Sequence, residues 1–210
     1  MKNTAPILAI FSTIFFWGSS FPVMSFILET STPLILGAGR FSLAAFFALL
    51  WCVYNYNKKI RLDHYFRYFF AGFVGIFLYN LFLNYGQKNI SAGASSFIVN
   101  CNPLFTVLIG SLILKQRVSF IHWSCVFFCL IGVYIISIDQ EGGLEFGSGS
   151  TLILFAAILT AIYFHILKPL VLIYGVITSA AYTILFGTLP MIIWFPETYY
   201  FIINSNNEVK

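Results

Sequence analysis

Long apolar runs alternate with short polar gaps along this chain, and the runs are longer than the helices of a soluble core. A helix crossing roughly 30 Å of hydrocarbon needs about 20 mostly apolar residues. A window of that length predicts seven spans, at 5–28, 33–54, 65–86, 90–114, 119–138, 150–168 and 172–195. Every gap between them holds charge, Gly, Pro or Asn. A membrane barrel would instead need strands of about ten residues alternating apolar and polar. Stretches such as Leu104 to Leu114 are apolar without alternation, so the expected fold class is all-α, a polytopic membrane protein with about seven transmembrane helices. The first run follows Lys2 as a signal peptide would. It is too long for an h-region, however, and continues into Phe21-Pro22 instead of a small-residue cleavage site. It reads as a retained helix.

Composition agrees with the pattern and removes other classes. Of 210 residues, 60% are hydrophobic and only 9% charged, against about 25% charged in a soluble domain. Disordered chains are poor in the Phe, Ile and Leu abundant here. A net charge of +4 scattered over loops is no basic face, so no nucleic-acid partner is expected.

The charges do fix a predicted orientation. With the N-terminus inside, Lys2, Lys58, Lys59, Arg61, Arg67, Lys115, Arg117 and Lys168 all fall on the inner side, eight of the eleven basic residues. Only Lys88 and Lys210 fall outside, and Arg40 lies within a span. The acids Glu29, Asp139, Glu141, Glu145, Glu197 and Glu208 cluster outside. The stretch 197–210 then reads as an outer loop.

Catalytic and metal chemistry finds no foothold in the sequence. Cys125 and Cys129 lie one helical turn apart, which is not CxxC spacing, and no HExxH, GxSxG, Walker A or GxGxxG pattern occurs. His64, His122 and His165 form no ligand set. No enzyme activity and no cofactor are expected.

The informative residues are polar groups and helix breakers deep in the spans, where they are expensive unless they face protein or water. In the first span, Trp17-Gly18-Ser19-Ser20-Phe21-Pro22 predicts a kink, because Pro22 cannot donate to the Gly18 carbonyl. Trp17 and Ser20 could then line a cavity; close packing through Gly-Ser-Ser is the competing reading. In the fourth span, Asn100 and Asn102 flank Cys101 just before Pro103, two carboxamides beside a proline-freed carbonyl. That is the strongest candidate for holding a polar solute, against a role as interhelical glue. In the third span, Asn80 and Asn84 share a face, and Asn80 lies deeper. The sixth span adds Thr160, Tyr163 and His165. A lone histidine is more often simply hydrogen-bonded than a proton carrier. Arg40 lies about 10 Å beyond the helix start at Pro33, where an anchoring role by snorkelling competes with solute binding.

Taken in order, these motifs resemble the EamA-type transporters of the drug/metabolite transporter superfamily. The carriers of the resemblance are Trp17-Gly18-Ser19-Ser20-Phe21, then Pro33-Leu34 with Arg40-Phe41, and above all the stretch from Gly86 to Ile136. That stretch holds Ser91-Ala92-Gly93, Asn102-Pro103-Leu104-Phe105, Arg117-Val118-Ser119 and Gly132-Val133. It departs from the family at Gln116, where Glu is usual. The resemblance implies two five-helix repeats of inverted topology with a cavity between them. Residues 1–140 would be one complete repeat and 141–210 two helices of a second, with an eighth span missing after the outer loop. It further implies a permease or exporter of small metabolites, amino acids or drug-like solutes, working by alternating access in a bacterial inner membrane. Its expected partners are the lipid bilayer, a small-molecule substrate and a second chain, as a homodimer or a partner half. A truncated, non-transporting remnant is the alternative. The implied substrate-binding residues are Trp17, Ser20, Asn80, Asn100, Asn102 and Tyr163.

Overall fold

A computed structural model describes residues 5–55, 60–138 and 148–208. Helix α1 spans Ala5–Thr30 and α2 spans Pro33–Tyr54. The third span is α3 (Leu62–Gly72), a π-helical segment (Phe73–Leu78) and α4 (Tyr79–Gln87) in unbroken succession. The fourth is α5 (Ala92–Asn100), α6 (Asn102–Leu108) and a second π-helical segment (Ile109–Ile113). Then come α7 (Phe120–Ile138), α8 (Ser148–Tyr174), α9 (Val176–Thr188), a 3₁₀ turn (Leu189–Trp194) and α10 (Phe195–Glu208). Among the described residues, six helical segments have the length and hydropathy to cross a membrane, and α7 is a further apolar helix of 19 residues. The chain is a polytopic, all-helical membrane protein.

Local chemistry explains two of the helix starts. Thr32 sits in extended conformation before Pro33, and its Oγ1 accepts from the Ile35 N–H at 3.3 Å. Proline at the first helical position loses no bond there. Ser91 does the same for α5, accepting from Ala94 at 3.2 Å. Helix α1 continues through Pro22; proline inside a span is tolerated where neighbouring groups satisfy the freed backbone.

Two sequence expectations change. The sixth span does not end at 168: α8 carries Pro169 inside it and runs to Tyr174. The chain turns at Gly175, whose φ of 84° is open to glycine at little steric cost. The stretch after 195 is not a loop but helix α10, with Glu197 in its first turn, where a negative side chain suits the helix dipole. Its Thr198 Oγ1 donates to Trp194 O at 2.8 Å and reaches Ile35 O at 3.4 Å, so α10 docks on the start of α2. Lys2, Lys58, Lys59, Asp139, Glu141, Glu145 and Lys210, used in the charge argument, lie outside the described residues.

The third span, α8 and α9 form the centre of the bundle: α4 packs on α8, α3 on α9, and α2 on α9. Small residues permit the approach, the usual device between helices in lipid. A Cβ on Gly72 would sit 2.5 Å from the Thr183 carbonyl oxygen and 2.6 Å from the Gly187 nitrogen. Two buried apolar clusters result. One joins Phe21, Met24, Leu28, Leu36, Leu83, Val99, Ile153 and Ala156. The other joins Ile60, Tyr68, Ala71, Leu167 and Leu170, beside which Tyr174 Oη meets His64 Nδ1 at 2.8 Å. Large apolar side chains such as Phe11, Phe15, Phe26, Phe46 and Ile193 point outward, a surface that hydrocarbon solvates and water does not.

Candidate functional site

Where α1, α2, the third span, the fourth span and α8 converge, they line an open-sided cavity of about 320 Å³. That is within the range of pockets that take small organic molecules, roughly 300–1,000 Å³. It borders the first apolar cluster at Phe21, Met24, Leu83 and Val99, and touches the second through Tyr163. Aromatic rings supply much of its wall: Trp17, Phe41, Tyr79, Tyr163 and Phe164.

Five of the six residues expected to bind solute line this cavity: Trp17, Ser20, Asn80, Asn102 and Tyr163. Each arrives by a different local route. Ser20 bends back so that its Oγ donates to Trp17 O at 2.6 Å. Asn80 follows the π-helical segment, a type of helix defect frequent at functional sites. Its Nδ2 donates to Ile76 O at 2.7 Å, while its Oδ1, buried, accepts nothing. A buried carboxamide oxygen without a donor carries an unmet desolvation cost. Asn102 opens α6, and its Oδ1 lies 3.1 Å from the Thr106 hydroxyl that donates to it. Tyr163 packs over Gly75, in the π-helical segment, where a Cβ would overlap its ring.

Asn100 lies apart from this cavity. It is exposed, its Nδ2 donates to Ser96 O at 2.8 Å, and it does not line the cavity. Residues two apart on a helix differ by about 200°, so Asn100 and Asn102 look to opposite sides of the turn at Cys101. Asn84 shares a face with Asn80 but serves packing: it is 1% exposed and donates to Pro33 O at 3.0 Å, tying α4 to α2. Gln87, passed over in the sequence, does likewise, donating to Phe21 O of α1 at 2.7 Å. With Asn80, these form a row at i, i+4 and i+7 that was visible as a periodicity. His165 Nε2 lies 3.1 Å from Thr106 O, a hydrogen-bonded histidine between α8 and α6.

The cavity also recruits residues left undecided or unremarked in the sequence. Arg40, Tyr79 and Thr160 join the wall, with Met24, Phe41 and Gly75. The apolar members carry no signal in a chain where apolar residues dominate every window. Among the described residues, no group of three or more His, Cys, Asp or Glu could hold a metal ion.

This architecture defines a class: a multi-pass membrane protein whose apolar helices line a solute-sized cavity. The chain belongs to the EamA-like transporter family, which it matches over residues 4–138. It is 32% identical to an uncharacterized transporter of Bacillus subtilis, YdfC, over 86% of this chain and 59% of that protein. An uncharacterized transporter of Archaeoglobus fulgidus is 25% identical over 89% of this chain and 66% of its own length. A probable terminal-alkyne amino-acid exporter of Streptantibioticus cattleyicolor is 23% identical over 90% of this chain and 63% of its length. The chain thus spans about three-fifths of the length of the curated relatives it matches. No solved structure matches it.

Proposed function

We propose that this chain is a solute-binding part of a permease or exporter in a bacterial cell membrane, with its N-terminus cytoplasmic. Residues 1–140 are read as a five-helix repeat and 141–210 as part of a second, inverted one. Solute binds near the midplane and is released by alternating access. One observation carries the reading: the 320 Å³ cavity draws its wall from five helical segments and places Asn80, Asn102 and Thr160 among aromatic rings. A polar solute with an apolar body fits such a wall. The amino-acid exporter among its relatives supports including amino acids among the solutes tried. The bilayer and a small-molecule substrate are the partners this reading requires, with a second chain, another copy or a partner half, as a further proposed partner.

The test is efflux from proteoliposomes loaded with labelled amino acids and small aromatic amines. At least one solute should leave faster than from protein-free vesicles, and Asn102→Ala and Tyr163→Ala should each slow it severalfold. Equal rates for wild type and both variants would refute the cavity as the binding place.

A further inference from the structure

Arg40 is the one strongly charged residue in the cavity wall, and that wall contains no acid. Its guanidinium reaches across from α2 to α1, where one N–H donates to the Met24 sulfur at 2.6 Å. A thioether is a weak acceptor. Among the described residues Arg40 has no ion pair; the only ones found join Arg61 and His64 to Asp63. The acids of the described spans' outer ends, Glu29 and Glu197, are exposed and do not line the cavity. A cation held about 10 Å inside a span normally pairs with another charged group or with backbone carbonyls. Arg40 is exposed rather than buried, lines a cavity of solute size, and spends one of its five fixed N–H donors on Met24.

We propose that Arg40 is the anion anchor of the cavity and that the solute is a monocarboxylate with an apolar or aromatic body. The inference rests on reading the cavity as the solute site. The planar guanidinium fork suits the two oxygens of a carboxylate. One positive charge without a second basic residue in the wall balances a monoanion and leaves a phosphate dianion half-neutralised. Trp17, Phe41 and Tyr163 then cover the body of the solute, with Asn102 and Thr160 as polar groups in the same wall. A cationic solute would meet like charge beside a wall made largely of apolar and aromatic side chains.

A matched set of probes tests this: 3-phenylpropionate, 3-phenylpropanol and 3-phenylpropylamine, which share a body and differ in charge. Binding to the 210-residue chain in lipid nanodiscs is read by fluorescence of Trp17, after Trp51, Trp123 and Trp194 are replaced by Phe. The carboxylate should bind about tenfold tighter than the alcohol, and the amine weaker than both. Arg40→Gln should erase the preference, and Arg40→Lys should keep part of it. Equal affinity for carboxylate and alcohol, or a preference that survives in Arg40→Gln, overturns the anchor while leaving the cavity as a solute site. Failure of all three probes to bind overturns both. Unchanged melting of the Arg40 variants separates lost recognition from lost fold.

Discussion

The contact between α3 and α9 makes a sharp prediction because backbone, not side chain, stands in the way. Gly72→Ala places a methyl group 2.5 Å from the Thr183 carbonyl oxygen and 2.6 Å from the Gly187 amide nitrogen. Real Cβ atoms essentially never come within 3.0 Å of such atoms, so the helices must separate by at least about half an ångström. Neither neighbour can rotate away. Overpacking of this kind costs about 1–3 kcal/mol. Alanine returns up to about 1 kcal/mol through helix propensity, leaving a net loss of about 1–2 kcal/mol. Gly18→Ala is the matched control, since its Cβ meets nothing within 4 Å and only the propensity gain applies. Thermal unfolding in detergent, followed by tryptophan fluorescence, reads the difference. At about 2–4 °C per kcal/mol for a chain of this size, Gly72→Ala should melt roughly 2–8 °C below wild type, with Gly18→Ala at or above it. If Gly72→Ala melts with Gly18→Ala, the close packing of α3 on α9 is wrong. Gly187→Ala strikes the same contact from the other side, so the double variant should lose less than the sum.

Asn84→Ala removes the cross-helix bond to Pro33 O and should cost about 1 kcal/mol, read as a lower melting temperature in the same assay. Gly75→Val drives a branched side chain into the Tyr163 ring; binding of the phenylpropionate probe should fall at least about tenfold while the protein still inserts and purifies as a monodisperse species. The proposed orientation, argued from the basic residues, predicts that in right-side-out vesicles Lys88→Cys reacts with an impermeant thiol reagent and Arg117→Cys does not. The reverse pattern would invert the topology.

The sequence made the spans legible because hydrocarbon imposes a length, and a run of apolar residues either has it or lacks it. Their ends were less legible where the local signal and the tertiary one disagreed. Lys168-Pro169 looked like an interruption, yet α8 passes through it and breaks six residues later at Gly175. The polar stretch Asn204-Ser205-Asn206-Asn207 looked like a loop, although Pro196 and Glu197 at the other end of α10 are ordinary helix-start residues. The π-helical segment at 73–78 had no sequence signature; it lies where Gly72 and Gly75 closely approach Thr183, Gly187 and Tyr163. Deep polar residues were visible for the opposite reason, as rare exceptions in an apolar background. Their partners were not visible. Asn80 and Asn84 share a face at i and i+4 with Asn80 the deeper, and the approach of Pro33, which makes Asn84 glue while Asn80 stays on the cavity wall, had no signal in the sequence. Asn100 and Asn102 looked like a pair, and helix geometry alone could have separated them.

The central claim is that polar solutes reach the space between α1, α2, the third and fourth spans and α8. Thiol accessibility tests it without a known substrate. In a variant with Cys52, Cys101, Cys125 and Cys129 replaced by Ser, Ser20→Cys puts a thiol in the cavity wall, while Phe15→Cys puts one on the 70% exposed outer face. Thiolate, the reactive form, does not persist in hydrocarbon. In nanodiscs, Ser20→Cys should react with a small, charged methanethiosulfonate and Phe15→Cys should not. A Ser20→Cys thiol as inert as the one at position 15 would contradict the account.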